Sequence, residues 1–202
     1  PVGGPSIRAV ARLMKKTLHP KNTAEDRLPG DPDRDQTIAR IVRVDHAGEY
    51  GAKRIYEGQL AVLKGTDAEP VLREMLDQEL AHLDRFDQEL SDRQIRPTAL
   101  QPLWHIAGFA LGAGTALLGR EAAMACTVAV EEVIDEHYAA QAEQLGDDES
   151  ELRDTIEEFR ADEQHHRAVG LAEGAEDAPA YPLLTGVIKT GSRLAIWLST
   201  RV

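Results

Sequence analysis

The residues whose types can do chemistry fall into two matching sets. In "ELAH" Glu79 stands three places before His82, and in "EQHH" Glu163 stands three places before His166. Residues three apart lie one above the other on a helix, so each pair can offer a carboxylate and an imidazole to a single point. About thirty residues before each pair comes a lone glutamate: Glu49 opens "EYGAKRIYEGQ" and Glu131 opens "EEVIDEHYAAQ". These stretches share Glu at the first position, Tyr at the eighth and Gln at the eleventh, so the pattern is an internal repeat. A single Glu-x-x-His is common in a charge-rich helical protein. Two of them, each tied to a lone glutamate within a repeated Glu/Tyr/Gln unit, are far harder to obtain by chance.

All six residues interrupt apolar stripes. Glu79 and His82 fall in line with Leu72, Met75, Leu76, Leu83 and Phe86, while Glu163 and His166 fall in line with Leu152, Ile156, Phe159 and Val169. Burying an unpaired carboxylate is very costly, so inward-facing glutamates must be protonated, paired or bound to cations. Oxygen and imidazole ligands without thiolate suit iron or manganese, and two Fe(II) ions carry the four charges that four carboxylates balance. A Glu from each of two helices, with a Glu-x-x-His from each of two others, is the ligand set of ferritin-like di-iron and di-manganese bundles. The expected metal ligands are therefore Glu49, Glu79, His82, Glu131, Glu163 and His166. Asp162 and His165 form a competing pair one residue earlier, and Glu132 competes with Glu131. The repeat favours Glu163 with His166 and leaves Asp162 or His165 as groups that orient a ligand. Tyr56 and Tyr138 lie seven residues beyond Glu49 and Glu131, two turns away on the same face. They are either core tyrosines with satisfied hydroxyls or, with His137 beside Tyr138, groups that deliver electrons or position a substrate ring.

Helices must carry these residues. Apolar positions follow helical spacing from Asp35 to Lys64, and Gly65 stops the run; Pro70 suits the start of a second helix ending before Pro97. A third segment is expected over about 103–119, a fourth over 120–145, a fifth from "GDDES" to about Leu171, and a sixth in "LLTGVIKTGSRLAIWLS". No stretch alternates with period two for long enough to suggest a strand. The fold class is all-α: a ferritin-like four-helix bundle with two additional helices. Residues 1–34 read as a basic N-terminal segment with a proline-rich linker, and residues 35–202 as the domain.

Composition narrows the partners. A formal net charge of −12 over 202 residues argues against nucleic acid. The acids are absent from both ends: Arg8, Arg12, Lys15, Lys16 and Lys21 precede the first acid, and Lys189, Arg193 and Arg201 lie in an acid-free C-terminal stretch. The single cysteine, Cys126, excludes an intramolecular disulfide and sits in an apolar run as a buried small hydrophobe. "SIRAVARLMKK" has the character of a targeting remnant, a membrane-surface helix or a mobile tail.

The chain resembles the demethoxyubiquinone hydroxylases of ubiquinone biosynthesis. The resemblance is carried by "RIVRVDHAGEYGAKRIYEGQLAVL" at 40–63, "DQELAHLDRF" at 77–86, "RPTALQPLWHIAGFALGAGTALLGREAAMACTVAVEEVIDEHY" at 96–138 and "FRADEQHHRAVGL" at 159–171. It covers essentially everything from Thr37 to Val202 and implies a ferritin-like bundle whose di-iron ligands are the six residues named above. It further implies a monooxygenase that hydroxylates the ring of a demethoxyubiquinol with O2, taking electrons from an external reductant such as NADH. No G-x-G-x-x-G nucleotide fingerprint is present. A biosynthetic assembly, a lipid-binding companion and a homo-oligomer are further associations the resemblance raises.

A polyprenyl quinol resides in the bilayer, so the enzyme needs a surface that reaches it. "LWHIAGFALGAGTALLG" is uncharged for 17 residues, and a helix of that length spans roughly 25 Å, short for a bilayer crossing. An interfacial or re-entrant segment and a quinone channel fit this stretch; a buried bundle helix with glycines for close packing is the alternative. With the basic ends, the expectation is a peripheral protein on an inner membrane, at the cytoplasmic face in a bacterium or the matrix face in a mitochondrion. The competing function is a ferritin-like iron-storage or peroxide-detoxifying protein using the same ligands, which gives no reason for the uncharged segment.

Overall fold

The computed structural model describes residues 30–202, with no strand among them. Of the basic segment and linker expected over 1–34, residues 1–29 lie outside the described residues. The compact unit spans Gln36–Val202. Its helices are α1 (Arg34–Leu63), α2 (Glu69–Asp92), α3 (Gln101–Leu117), α4 (Arg120–Gln144), α5 (Ser150–Ala172) and α6 (Tyr181–Ser199). Short 3-10 turns at Asp147–Glu149 and Ala175–Asp177 enter α5 and precede α6. The all-α expectation holds, and the helix boundaries fall within about two residues of the sequence reading at Gly65, Pro70 and Gly119, whereas α2 ends at Asp92, several residues before the expected stop at Pro97. Gly65, which stops α1, has φ 81°, a left-handed conformation that glycine adopts without strain.

Helices α1, α2, α4 and α5 form the bundle around two apolar clusters. One gathers Ile38, Ile41, Val42, Phe86, Leu90, Leu152, Ile156 and Phe159. The other gathers Tyr56, Leu60, Leu63, Leu72, Met75, Ala122, Met124 and Val128. Along α2 the stripe passes from Leu72 and Met75 in one cluster to Phe86 and Leu90 in the other, and Glu79 and His82 occupy the interval. The interval on α5 falls after Phe159 and holds Glu163 and His166. The bundle therefore encloses a polar layer between two apolar ones. Cys126 lies fully buried in α4, and burial pushes its thiol up to about 12, so it packs as a hydrophobe.

Helix α3 lies outside the bundle against α1. A Cβ at Gly112 would overlap the carbonyl oxygen of Ile55, and one at Gly58 would overlap that of Phe109, so backbone meets backbone along this seam. The glycines thus serve close packing, as the alternative reading of this segment required, but the helix is not buried. Leu103, Ile106, Leu117 and Leu118 are exposed. Helix α6 adds Leu183, Val187, Leu194 and Trp197 to the exposed hydrophobics. Trp104 Nε1 donates to Ser199 Oγ at 3.0 Å and Thr98 Oγ1 donates to the Val202 carbonyl at 2.7 Å, so the two outer helices are tied together.

Candidate metal centre

The polar layer brings the six sequence-derived residues to one place. Their exposure runs from 0% at Glu79, Glu163 and His166 to 3% at His82, which means that water cannot solvate the charge they carry. Ligand atoms of Glu49, Glu79, His82 and Glu163 lie within 4.8 Å of one another, and so do those of Glu79, Glu131, Glu163 and His166. Glu79 and Glu163 belong to both groups; Glu49 and His82 complete one, Glu131 and His166 the other. Glu163 shows how the sharing works. Its Oε1 is 3.3 Å from His82 Nδ1, while its Oε2 is 3.1 Å from His166 Nδ1.

Spacing along each helix explains the convergence. Glu79 and His82 sit on one face of α2 because they are three apart, and Glu163 and His166 do the same on α5. The competing residues join neither group. His165 is exposed, Asp162 sits half-exposed at the rim with its Oδ2 3.1 Å from His82 Nε2, where it can orient that ring, and Glu132 pairs outside the bundle with Lys189 and Arg167.

Support for the lone glutamates is exchanged between the halves of the repeat. Tyr138 on α4 donates to Glu49 Oε1 on α1, and Tyr56 on α1 donates to Glu131 Oε1 on α4 at 2.9 Å. Both phenols are buried, and burial together with Glu131 beside Tyr56 and Glu49 beside Tyr138 raises each far above its ordinary value. They are satisfied core tyrosines that also hold ligand carboxylates in place. His137, adjacent to Tyr138 in sequence, turns instead toward Asp45 and Gln141, with its Nε2 2.8 Å from Gln141 Nε2 and 3.5 Å from Asp45 Oδ1. It is not part of either group of converging atoms.

Electrostatics leave the centre short of positive charge. Burial, reinforced by Glu163, pushes the Glu79 and Glu131 carboxyls well above the usual range. Burial opposes the charge of Glu163 as well, yet the imidazoles of His166 and His82 overcome it and hold Glu163 at about 2. Burial likewise works against a cationic His82, but Glu163 and Glu49 raise it to about 10. Even so, Glu49 Oε2, both oxygens of Glu79, Glu131 Oε2, Glu163 Oε1 and His82 Nδ1 are buried without a hydrogen-bond partner. Buried polar atoms are nearly always hydrogen-bonded, so six exceptions facing one point fit a pair of cations. The oxygen-rich donor set with one imidazole per group suits divalent iron or manganese.

Beside this layer runs an apolar cavity of about 340 Å³. It is walled by Gly48 and Ala52 on α1, Gly108 and Leu111 on α3, Val130 and Ile134 on α4, and Ala195 and Ile196 on α6. Gly48 precedes Glu49 and Val130 precedes Glu131 along their helices, so the cavity lies on the neighbouring face of the same helix turns, with the glutamates themselves outside its lining.

A sequence model of the family described as "Ubiquinone biosynthesis protein COQ7" matches residues 36–199. The chain belongs to this family. It is 61% identical over 183 residues to the 3-demethoxyubiquinol 3-hydroxylase of Rhodospirillum rubrum, covering 90% of this chain and 86% of that protein. The human NADPH-dependent 3-demethoxyubiquinone 3-hydroxylase, a mitochondrial protein, is 53% identical over 169 residues, 82% of this chain and 78% of its own length. The mitochondrial 5-demethoxyubiquinone hydroxylase of Saccharomyces cerevisiae is 41% identical over 182 residues, 82% of this chain and 78% of its own length. The family fold is the ferritin-like helical bundle expected from the ligand pattern.

Sequence reasoning missed two contributors to the centre. Gln78 accepts at 2.6 Å from His166 Nε2, and its signal was present: it precedes Glu79 as Asp162 precedes Glu163. Asp45, one turn before Glu49, is buried and accepts from Gln141 at 2.7 Å. Burial raises its carboxyl, against the opposing pull of His137. His105 in α3 is exposed; its Nδ1 lies 2.7 Å from the Tyr50 hydroxyl, bridging α1 and α3.

Proposed function

We propose that this chain is a di-iron monooxygenase that hydroxylates the ring of a demethoxyubiquinol with O2 in ubiquinone biosynthesis. One oxygen atom enters the ring C–H bond as a hydroxyl, and the other leaves as water with two electrons and two protons from an external reductant. The observation that carries this reading is the pairing of six converging, under-satisfied ligands with an apolar cavity alongside them. A ferritin-like storage protein needs the ligands but has no use for the cavity.

Glu49, Glu79, His82 and Glu163 would hold one iron, and Glu79, Glu131, Glu163 and His166 the other. Iron bound there supplies the reduction of O2 that the organic ring cannot perform by itself. The protein's own contributions are positional. Tyr138 and Tyr56 pin Glu49 and Glu131, the carboxylates that belong to one group each, while Glu79 and Glu163 belong to both groups and would serve either ion. Apolar walls admit a quinol ring and exclude bulk water, which protects a reactive oxidant from side reactions. The reductant is a nicotinamide nucleotide, NADH or NADPH, and the described residues, which hold no strand, build no Rossmann domain for it.

The exposed hydrophobics of α3 and α6 support a peripheral seat on the inner membrane where the polyprenyl substrate resides. Among the described residues no helix is long and apolar enough to cross a membrane. The cavity lies between these outer helices and the bundle, so a quinol ring could pass from the bilayer surface toward the centre while its tail stays in lipid. A bacterial setting puts this seat on the cytoplasmic face, a mitochondrial one on the matrix face. The test is O2-dependent conversion of a short-chain demethoxyubiquinol by iron-loaded protein beside a folded Glu163→Ala variant. Hydroxylated product from the parent alone is expected; iron uptake without product from either protein transfers the function to iron storage.

A further inference from the structure

The two metal positions are alike in nearly every respect. They share Glu79 and Glu163, and each adds one glutamate held by a tyrosine and one histidine. Both histidines present Nδ1 to the carboxylates and turn Nε2 outward. His82 Nδ1 lies 3.6 Å from Glu49 Oε2, and His166 Nδ1 lies 3.3 Å from Glu79 Oε1. What differs is the group behind each ring. His82 Nε2 is 3.1 Å from Asp162 Oδ2, whereas His166 Nε2 is 2.6 Å from Gln78 Oε1. The support is crossed, because Asp162 on α5 backs the imidazole of α2 and Gln78 on α2 backs the imidazole of α5.

We propose that Asp162 and Gln78 are positioning residues that make the two metal positions unequal, the carboxylate behind His82 giving its position the tighter hold. The inference rests on the di-metal reading above. A metal on Nδ1 leaves the imidazole proton on Nε2, so Asp162 and Gln78 both act as acceptors. A carboxylate accepts that N–H more strongly than an amide oxygen does. It draws the ring toward imidazolate and makes the opposite nitrogen a better donor to the metal. The amide orients His166 at least as firmly, since its contact is the shorter one; the difference lies in donor strength rather than in ring placement. His82 is also held from the side, stacked on Phe159 with ring centroids 3.9 Å apart. Solvent reaches the Asp162 side chain, which is 42% exposed. Screening therefore places the effect at the lower end of the roughly 10- to 100-fold range that such partners exert on metal affinity.

Zn(II) titration of the full-length protein labelled with 15N-histidine tests this without turnover. A chelator competition gives the two stepwise affinities, and the imidazole resonances report which position fills at each step. The first equivalent is expected to move the His82 resonances, with a first step about tenfold tighter than the second beyond statistics. Asp162→Asn should weaken that step by about tenfold and let His166 fill first or together with His82. Gln78→Glu should tighten the His166 position by a similar factor. Both substitutions preserve side-chain shape, and unchanged metal-free melting would separate positioning from a general structural effect. Equal filling of the two positions in the parent, or a loss in Asp162→Asn shared equally by both steps, would overturn the inequivalence while leaving the di-metal centre standing. Absence of zinc uptake by the parent would remove the di-metal reading itself, and the inequivalence with it.

Discussion

The centre of the bundle and the flank formed by α3 and α6 depart from the ordinary partition of side chains in opposite directions. Four glutamates lie at 0 to 1% exposure in the centre, where an apolar layer would be more stable. On the flank Ile106 is 68% exposed and Leu117 74%, where polar residues would be more soluble. Each departure points to what the bare chain does not provide. The carboxylates call for cations and the exposed side chains call for an apolar medium, and the apolar cavity lies between α3, α6 and the bundle. A storage protein would keep the first departure and have no need of the second.

The largest effect should come from Glu163, which belongs to both ligand groups. Glu163→Ala is expected to leave less than one tightly bound iron per chain, measured by metal analysis after gel filtration. Its activity should fall by more than the ~100-fold that loss of an outer partner costs. Glu132→Ala, one residue from a ligand glutamate but outside the bundle, should retain both ions; loss of iron there would break the distinction between centre and surface.

Metal affinity should rise steeply with pH. In the metal-free protein burial raises the Glu79 and Glu131 carboxyls, so they take up protons more readily than exposed ones, and neighbouring carboxylates raise His82 to about 10, so its ring holds a proton near neutrality. Cations must displace those protons, so binding strengthens as pH rises and weakens as it falls. Release of one proton corresponds to about tenfold per pH unit, measurable by chelator competition between pH 6 and 8. An affinity independent of pH over that range would contradict the protonated, cation-free centre.

On the flank, Ile106→Asp combined with Leu117→Asp should reduce partition into anionic vesicles at least ~10-fold, because each side chain forfeits about 1.5–3 kcal/mol of apolar burial. Iron stoichiometry should stay at two. A flotation assay that finds undiminished vesicle binding would assign these hydrophobics to another role. Gly112→Val forces α3 off the α1 backbone and should cost about 1–3 kcal/mol, read as a lower melting temperature with both metals retained. The smallest change is expected from Tyr56→Phe, which removes one hydrogen bond to Glu131 for about 1 kcal/mol and leaves the packing intact.

The sequence by itself determined the helices and the residues that converge. Helical periodicity is local, so the interruption of an apolar stripe by Glu79 and His82, and again by Glu163 and His166, could be read from spacing alone. The repeat added Glu49 and Glu131 because the same surroundings occur twice. Only the tertiary structure decided how these parts face one another. Rotation of each helix about its axis put Tyr138 on Glu49 and Tyr56 on Glu131, a crossing that no distance along the chain encodes. It also set Nδ1 as the inward nitrogen of both histidines, and turned His137 toward Asp45 instead of the ligands. The uncharged segment at 103–119 has a glycine-lined face and an apolar one, and its sequence suits burial or a membrane surface equally. Packing of Gly112 against Ile55 excluded full burial, because backbone-to-backbone contact fixes the glycine face inward and leaves Ile106 and Leu117 outside.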